Sequence, residues 1–145
     1  MIFFFHILLL NTLNASSRLY FLPAQDNIAQ YAIETAINRS EKEILISVND
    51  LKFSIRKLII KRSDINITII TQCKKLKQSI FEMTLYKHID IICTSIENQT
   101  AMFFDEKNLC LINNMSILCS EDDEIIRVYK KNINKILQNS THYLK

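Results

Sequence analysis

Not one of the 145 residues is glycine, where average usage of about 7% would supply roughly ten. Glycine lets a backbone turn at positive φ and lets it press close against a phosphate. A chain without it has no glycine-rich dinucleotide fingerprint, no P-loop and no Gly-x-Ser-x-Gly nucleophile elbow. Any chemistry here must come from side chains mounted on regular elements. Ile, Asn and Lys are abundant while Pro occurs once and Trp not at all. That bias matches the codon usage of an AT-rich genome, so single Asn and Lys residues carry little weight. With 48% hydrophobic and 23% charged residues, the chain is expected to fold as one domain with a real core.

The N-terminus reads as a processing signal. Ile2 to Leu10 is apolar except for His6, and Asn14-Ala-Ser-Ser17 follows. These nine positions, eight of them apolar, are too few for a membrane span, which needs about 20. They suit a secretory h-region, with Ala15 and Ser17 as the small residues before a cleavage site. Residues 1–17 are therefore expected to be a signal peptide and 18–145 a single domain. The protein would be periplasmic or secreted, with no stable membrane span once the leader is gone. The alternatives are a buried first strand and an uncleaved anchor. Cys73, Cys93, Cys110 and Cys119 are disulfide candidates in an exported protein, with three possible pairings. They read equally well as four small buried hydrophobes. None has Cys-x-x-Cys spacing, so the sequence predicts no metal site.

Beyond the leader, helix and strand alternate. Leu19 to Leu22 reads as a short strand stopped by Pro23. A helix capped by Asp26 follows over 27–39, with Ile28, Ala32, Ile33, Ala36 and Ile37 on its apolar side. Residues 44–48 and 65–71 read as strands buried on both faces, and a helix from Asn49-Asp50 to Lys61 lies between them. A third helix is expected from Lys74 to about Tyr86, then strands at 89–93, 101–104, 109–112 and 115–119. The final helix is expected to be capped by Ser120, with a seam of Ile125, Val128, Tyr129, Ile133 and Ile136. Together these predict an α/β protein.

In order and local sequence these segments resemble the small, exported nucleases of the phospholipase D superfamily in bacteria. Leu19-Tyr-Phe-Leu-Pro23 is similar to their first strand, residues 32–48 and 51–71 to their next helix and strand units, and 132–143 to their terminal helix and tail. The resemblance implies an αβα sandwich around a mixed, largely parallel β-sheet. It implies metal-independent phosphodiesterase chemistry with no cofactor, carried out by a homodimer on DNA or another phosphodiester. That chemistry rests on His-x-Lys-x-x-x-x-Asp, in which the His attacks phosphorus and the Lys stabilises the phosphate charge.

The matching stretch is Asn98-Gln-Thr-Ala-Met-Phe-Phe-Asp105. Asn98 stands at the nucleophile position and Thr100 at the Lys position, and only Asp105 keeps the motif's residue. A carboxamide is not a nucleophile at neutral pH and Thr has no charge, so the catalytic centre reads as degenerate. The Gly-Ser-x-Asn that follows in the family is reduced to Asn113-Asn114. Asp105 itself reads as a turn residue in Asp-Glu-Lys-Asn108 rather than a retained catalytic group. His88 reads as a surface residue and His142 as a solvated one. The alternative is a non-enzymatic module that binds nucleic acid or protein through the basic face of residues 52–77, with Lys52, Arg56, Lys57 and Lys61 at its centre. Aromatic residues do not interleave with those charges, which argues against base stacking as its mode of binding.

Overall fold

The computed structural model describes residues 17–97, 99–138 and 141–144. Most of the expected leader, and Asn98, lie outside the described residues. Eight strands form one sheet in the order β1-β7-β6-β5-β2-β3-β4-β8. They are β1 Ser17–Phe21, β2 Glu43–Ser47, β3 Asn66–Gln72, β4 Ile89–Thr94, β5 Ala101–Phe104, β6 Asn108–Ile112, β7 Ser116–Ser120 and β8 Thr141–Tyr143. The helices are α1 Asp26–Arg39, α2 Phe53–Lys61, α3 Gln78–Phe81 and α4 Asp123–Gln138. The sheet is mixed, as expected, but it is not largely parallel. Parallel pairing is confined to β2-β3 and β3-β4, and the other five pairs are antiparallel.

The sheet separates two layers of core. Ile44, Ile46, Ile67 and Ile69 pack with Ile33, Ile37, Ile55 and Ile59 from α1 and α2 on one face. Leu45, Ile70 and Phe103 pack with Ile126 and Ile133 of α4 on the other. The alternation of these residues along β2 and β3 follows from the two-residue period of a strand. Because both faces are covered, the central strands are almost wholly apolar. Among the described residues, no helix is long and apolar enough to cross a membrane.

Several local expectations are corrected. The short strand expected at Leu19 to Leu22 is β1, which begins earlier, at Ser17, whose buried hydroxyl lies 2.7 Å from that of Ser120. The buried side of α1 is Ala29, Ile33 and Ile37, which leaves Ile28 exposed. Asp26 does not cap α1. It lies inside the first turn and pairs with Lys52 at 3.2 Å. Helix α2 begins at Phe53, because the Asn49 side chain is taken up in ties to β3. The expected third helix is broken into a 3₁₀ turn at Cys73–Lys75, the short α3 and a second 3₁₀ turn at Glu82–Leu85. A disulfide at Cys73 ties that segment to β4. At α4 the cap is Asp122, whose Oδ1 accepts the N–H groups of Glu124 and Ile125 at 2.9 and 3.1 Å. Ser120 is still in β7, so the seam rotates to Ile126 and Ile133, flanked by Tyr129 and Leu137, and Val128 is exposed.

All four cysteines are paired. Cys73–Cys93 joins the end of β3 to β4, and Cys110–Cys119 crosses between facing positions of β6 and β7.

Candidate functional site at the carboxyl end of the parallel strands

In open α/β sheets, ligands bind outside the carboxyl ends of the parallel strands. Here those ends are Ser47, Gln72 and Thr94. Strand β5 runs the other way, so its amino end meets the same rim, with Ala101 opposite Ser47. Thr100 precedes it, half-buried, and its carbonyl accepts the N–H of Ile112 at 3.0 Å. Of the motif positions, Thr100 thus lies at this rim.

The side chains at that rim are polar but neutral. Ser47, Thr71 and Thr94 are fully buried. Asn49 Oδ1 accepts from Thr71 Oγ1 at 3.2 Å and from the Gln72 N–H at 3.0 Å, and its Nδ2 donates to Gln72 Oε1 at 3.2 Å. This lattice ties the loop after β2 to the end of β3. The charged pair nearest it in sequence is Asp50–Lys77 at 2.9 Å. The hydrogen bond from Lys77 holds the Asp50 carboxyl below its ordinary range, against a weaker desolvation effect. Both partners are more than half exposed, so the pair contributes little to stability.

Asp105 is at the other end of β5. It lies five positions beyond Thr100, about 16 Å along a strand. It sits in the three-residue loop between β5 and β6, with φ 53° at Asp105 and 59° at Glu106. Its Oδ2 accepts the Glu41 N–H at 2.7 Å, and its Oδ1 accepts those of Lys42 and Glu43 at 2.8 and 2.9 Å. Burial pushes this carboxyl up, but the three N–H groups outweigh it and, with Lys107, leave it below the ordinary value. Asp105 therefore fixes the loop between α1 and β2, in keeping with its reading as a turn residue. Asn113 is structural in the same way: its Oδ1 accepts the Met115 and Ser116 N–H groups, both at 2.8 Å, to close the β6–β7 turn.

Neither described histidine reaches the rim beside Thr100. His88 precedes β4 at the opposite end of the sheet and, rather than being simply a surface residue, is half-buried with Nε2 2.9 Å from the Ile59 carbonyl. His142 is exposed in β8, four strands from β5 and thus about 19 Å away at ordinary strand spacing. Among the described residues, no three His, Cys, Asp or Glu side chains converge to hold a metal ion. A cavity of about 560 Å³ opens between α1 and β1, β6 and β7, with Arg18, Tyr31, Arg39, Asn108 and Glu121 in its walls. It contains Asp105 and so lies away from Thr100.

The basic run does not act as one surface. Arg62 donates to the carbonyls of Ile37, Asn38 and Ser40 at the end of α1 and forms a two-point bridge to Asp64. Lys52 is taken by Asp26 and Lys77 by Asp50. Arg56, Lys57 and Lys61 remain on the outer side of α2, and Phe53 lies among them, two-thirds exposed. The sequence reading passed over that aromatic. Its signal was the spacing of 53, 57 and 61, which puts all three on one stripe of a helix.

No family model matches the chain, and no curated protein matches it. Solved structures do. NucT from Helicobacter pylori has a TM-score of 0.71 and 18% identity, covering 86% of this chain and 96% of that one. Nuc from Salmonella typhimurium, a phospholipase D family member, has a TM-score of 0.68 and 10% identity over 88% of this chain and 97% of its own. TrmBL2, an archaeal chromatin protein with a novel mode of DNA binding, has a TM-score of 0.66 and 11% identity, and this chain spans 58% of its length. The chain has the fold of Nuc over nearly its whole described length, and the resemblance read from the sequence holds at the level of the fold.

Proposed function

We propose that this protein is an exported, non-hydrolysing version of a phospholipase D-like endonuclease that still binds phosphodiesters such as DNA. The observation that carries the reading is the neutral rim. The fold brings the uncharged Ser47, Asn49, Thr71, Gln72, Thr94 and Thr100 to the carboxyl end of the parallel strands, and the charges beside them in sequence are Asp50, paired with Lys77, and Lys74 and Lys75 in the turn after β3. The motif's two chemical positions are Asn98 and Thr100, and loss of a nucleophile costs several orders of magnitude in turnover. Asp105 alone keeps the motif's identity, and its three backbone hydrogen bonds account for it.

Export is supported by the apolar N-terminal run and by the two disulfides, which persist in oxidising compartments. DNA as partner is supported by the likeness to TrmBL2 and by the cations on the outside of α2. A homodimer follows from the family resemblance alone.

The test is hydrolysis of a chromogenic phosphodiester and of plasmid DNA in the presence of EDTA, beside an Asn98→His/Thr100→Lys variant. The expected result is no turnover by the natural sequence. Metal-independent cleavage that Asn98→Ala abolishes would overturn the proposal.

A further inference from the structure

We propose that the outward stripe of α2 binds single-stranded nucleic acid, with Phe53 as the platform on which a base stacks. The buried side of α2 is Ile55 and Ile59, continued upstream by Leu51, so Phe53, Lys57 and Lys61 project into solvent. Phe53 is 67% exposed, and nothing in the packing of α2 requires a large aromatic there. The Arg56 guanidinium lies 5.5 Å and the Lys57 ammonium 5.9 Å from the ring centroid. Both cations therefore lie over the ring of a side chain that is still largely exposed. Beside the stripe is a hollow of about 240 Å³ between α1 and α2, with Glu34, Asn38, Ser54, Lys57 and Lys61 in its walls.

An aromatic ring among phosphate-seeking cations is what sequence-tolerant binding of single strands uses. A duplex would meet the charges but could not offer an unstacked base to the ring. From Phe53 to Lys61 the stripe runs about 12 Å, enough for neighbouring phosphates to meet Lys57 and Lys61 while a base covers Phe53. This deepens the DNA-binding part of the proposed function and does not depend on the rim being inert.

The test is fluorescence anisotropy of a labelled 20-nucleotide oligo-dT against a duplex of the same length, with EDTA present. The expected result is tighter binding of the single strand. Phe53→Ala should weaken that binding about 5- to 160-fold, the range for loss of one stacked base, with Phe53→Trp restoring it and duplex binding little changed. Three cations predict a salt slope of about −2, or about a 20-fold loss between 50 and 200 mM salt. Lys57→Glu/Lys61→Glu should flatten that slope. Equal affinity for both nucleic acids, insensitivity to Phe53→Ala, or preferential capture by anionic vesicles through the same residues would overturn the proposal. Cleavage of the oligonucleotide during the assay would instead overturn the non-hydrolysing reading and leave this one standing.

Discussion

The structural assignment of Asp105 can be tested by removing it. Its carboxylate holds three N–H groups, of Glu41, Lys42 and Glu43, across more than 60 residues of sequence. Each bond is partly open to water, so each contributes about 0.5–1.5 kcal/mol net. The residue also sits at φ 53°, which Asp tolerates better than Ala by about 1 kcal/mol. Asp105→Ala should therefore cost about 3 kcal/mol. Asp105→Asn keeps an acceptor for two of the three donors but loses the charge and turns an amide toward the Glu41 N–H, for a cost of about 1–2 kcal/mol. At this chain length 1 kcal/mol moves Tm by about 3–5 °C, so the alanine variant should melt about 10–15 °C lower at pH 7.

The pH dependence supplies a second check. A carboxyl held below its ordinary value stabilises the fold above its unfolded pKa, about 3.9, and that contribution is lost as pH falls through the folded value. The gap between natural protein and Asp105→Ala should thus be full at pH 7 and shrink below about pH 4. Thermal and urea melts over this pH range measure it. If Asp105→Asn melts like the natural protein while phosphodiester turnover, present in the natural protein, disappears, the structural assignment is wrong and Asp105 is part of a working site.

Glu106 adopts φ 59° without the chemistry to favour it. Glu106→Gly should raise stability by about 0.5–1 kcal/mol in urea melts, since left-handed strain of about 1–2 kcal/mol exceeds glycine's entropic cost. Loss of the 3.5 Å pair with Lys130 subtracts little. Loop entropy makes Cys73–Cys93, with 20 residues between its ends, worth about 3.3 kcal/mol, and Cys110–Cys119, with 9, about 2.6 kcal/mol. Paired Cys→Ser variants should therefore rank in that order in melting temperature. Arg62→Lys cannot reach three carbonyls and bridge Asp64 at once. A loss of about 2 kcal/mol is expected by denaturant titration, and an unchanged midpoint would show that the fork is dispensable.

The sequence made the layer architecture legible because apolar runs such as 44–48 and 65–71 leave little choice but a buried strand. It also picked Asp105, which follows β5, as a turn residue. Helix faces were less legible. The seams of α1 and α4 came out rotated, because Ile28 and Val128 are as apolar as the residues that replaced them inside and only tertiary packing decides between them. The third helix is broken beside a disulfide whose pairing no spacing could assign. The basic run looked continuous because sequence shows charges and not their partners. In space Arg62, Lys52 and Lys77 are committed to other groups, and Phe53 stands among those left over.

The absence of glycine links these findings. A glycine-free chain must still turn, end its helices and join its strands, and here side chains perform those tasks. The end of α1 would ordinarily be closed by a left-handed glycine. Instead Ser40 is extended and Arg62 reaches in to satisfy the carbonyls of Ile37, Asn38 and Ser40. The β6–β7 turn is closed by the Asn113 carboxamide, and the link between β2 and β3 by that of Asn49. The β5–β6 loop takes positive φ at Asp105 and Glu106, and the carboxylate of Asp105 anchors a second loop. Polar groups that a sequence reader would offer to a substrate are thereby already committed to the backbone. Two of them, Asp105 and Asn113, fall at positions where the phospholipase D resemblance expects function. Their persistence is explained by the folding of a chain without glycine, and so it cannot count as evidence that the chemistry persists.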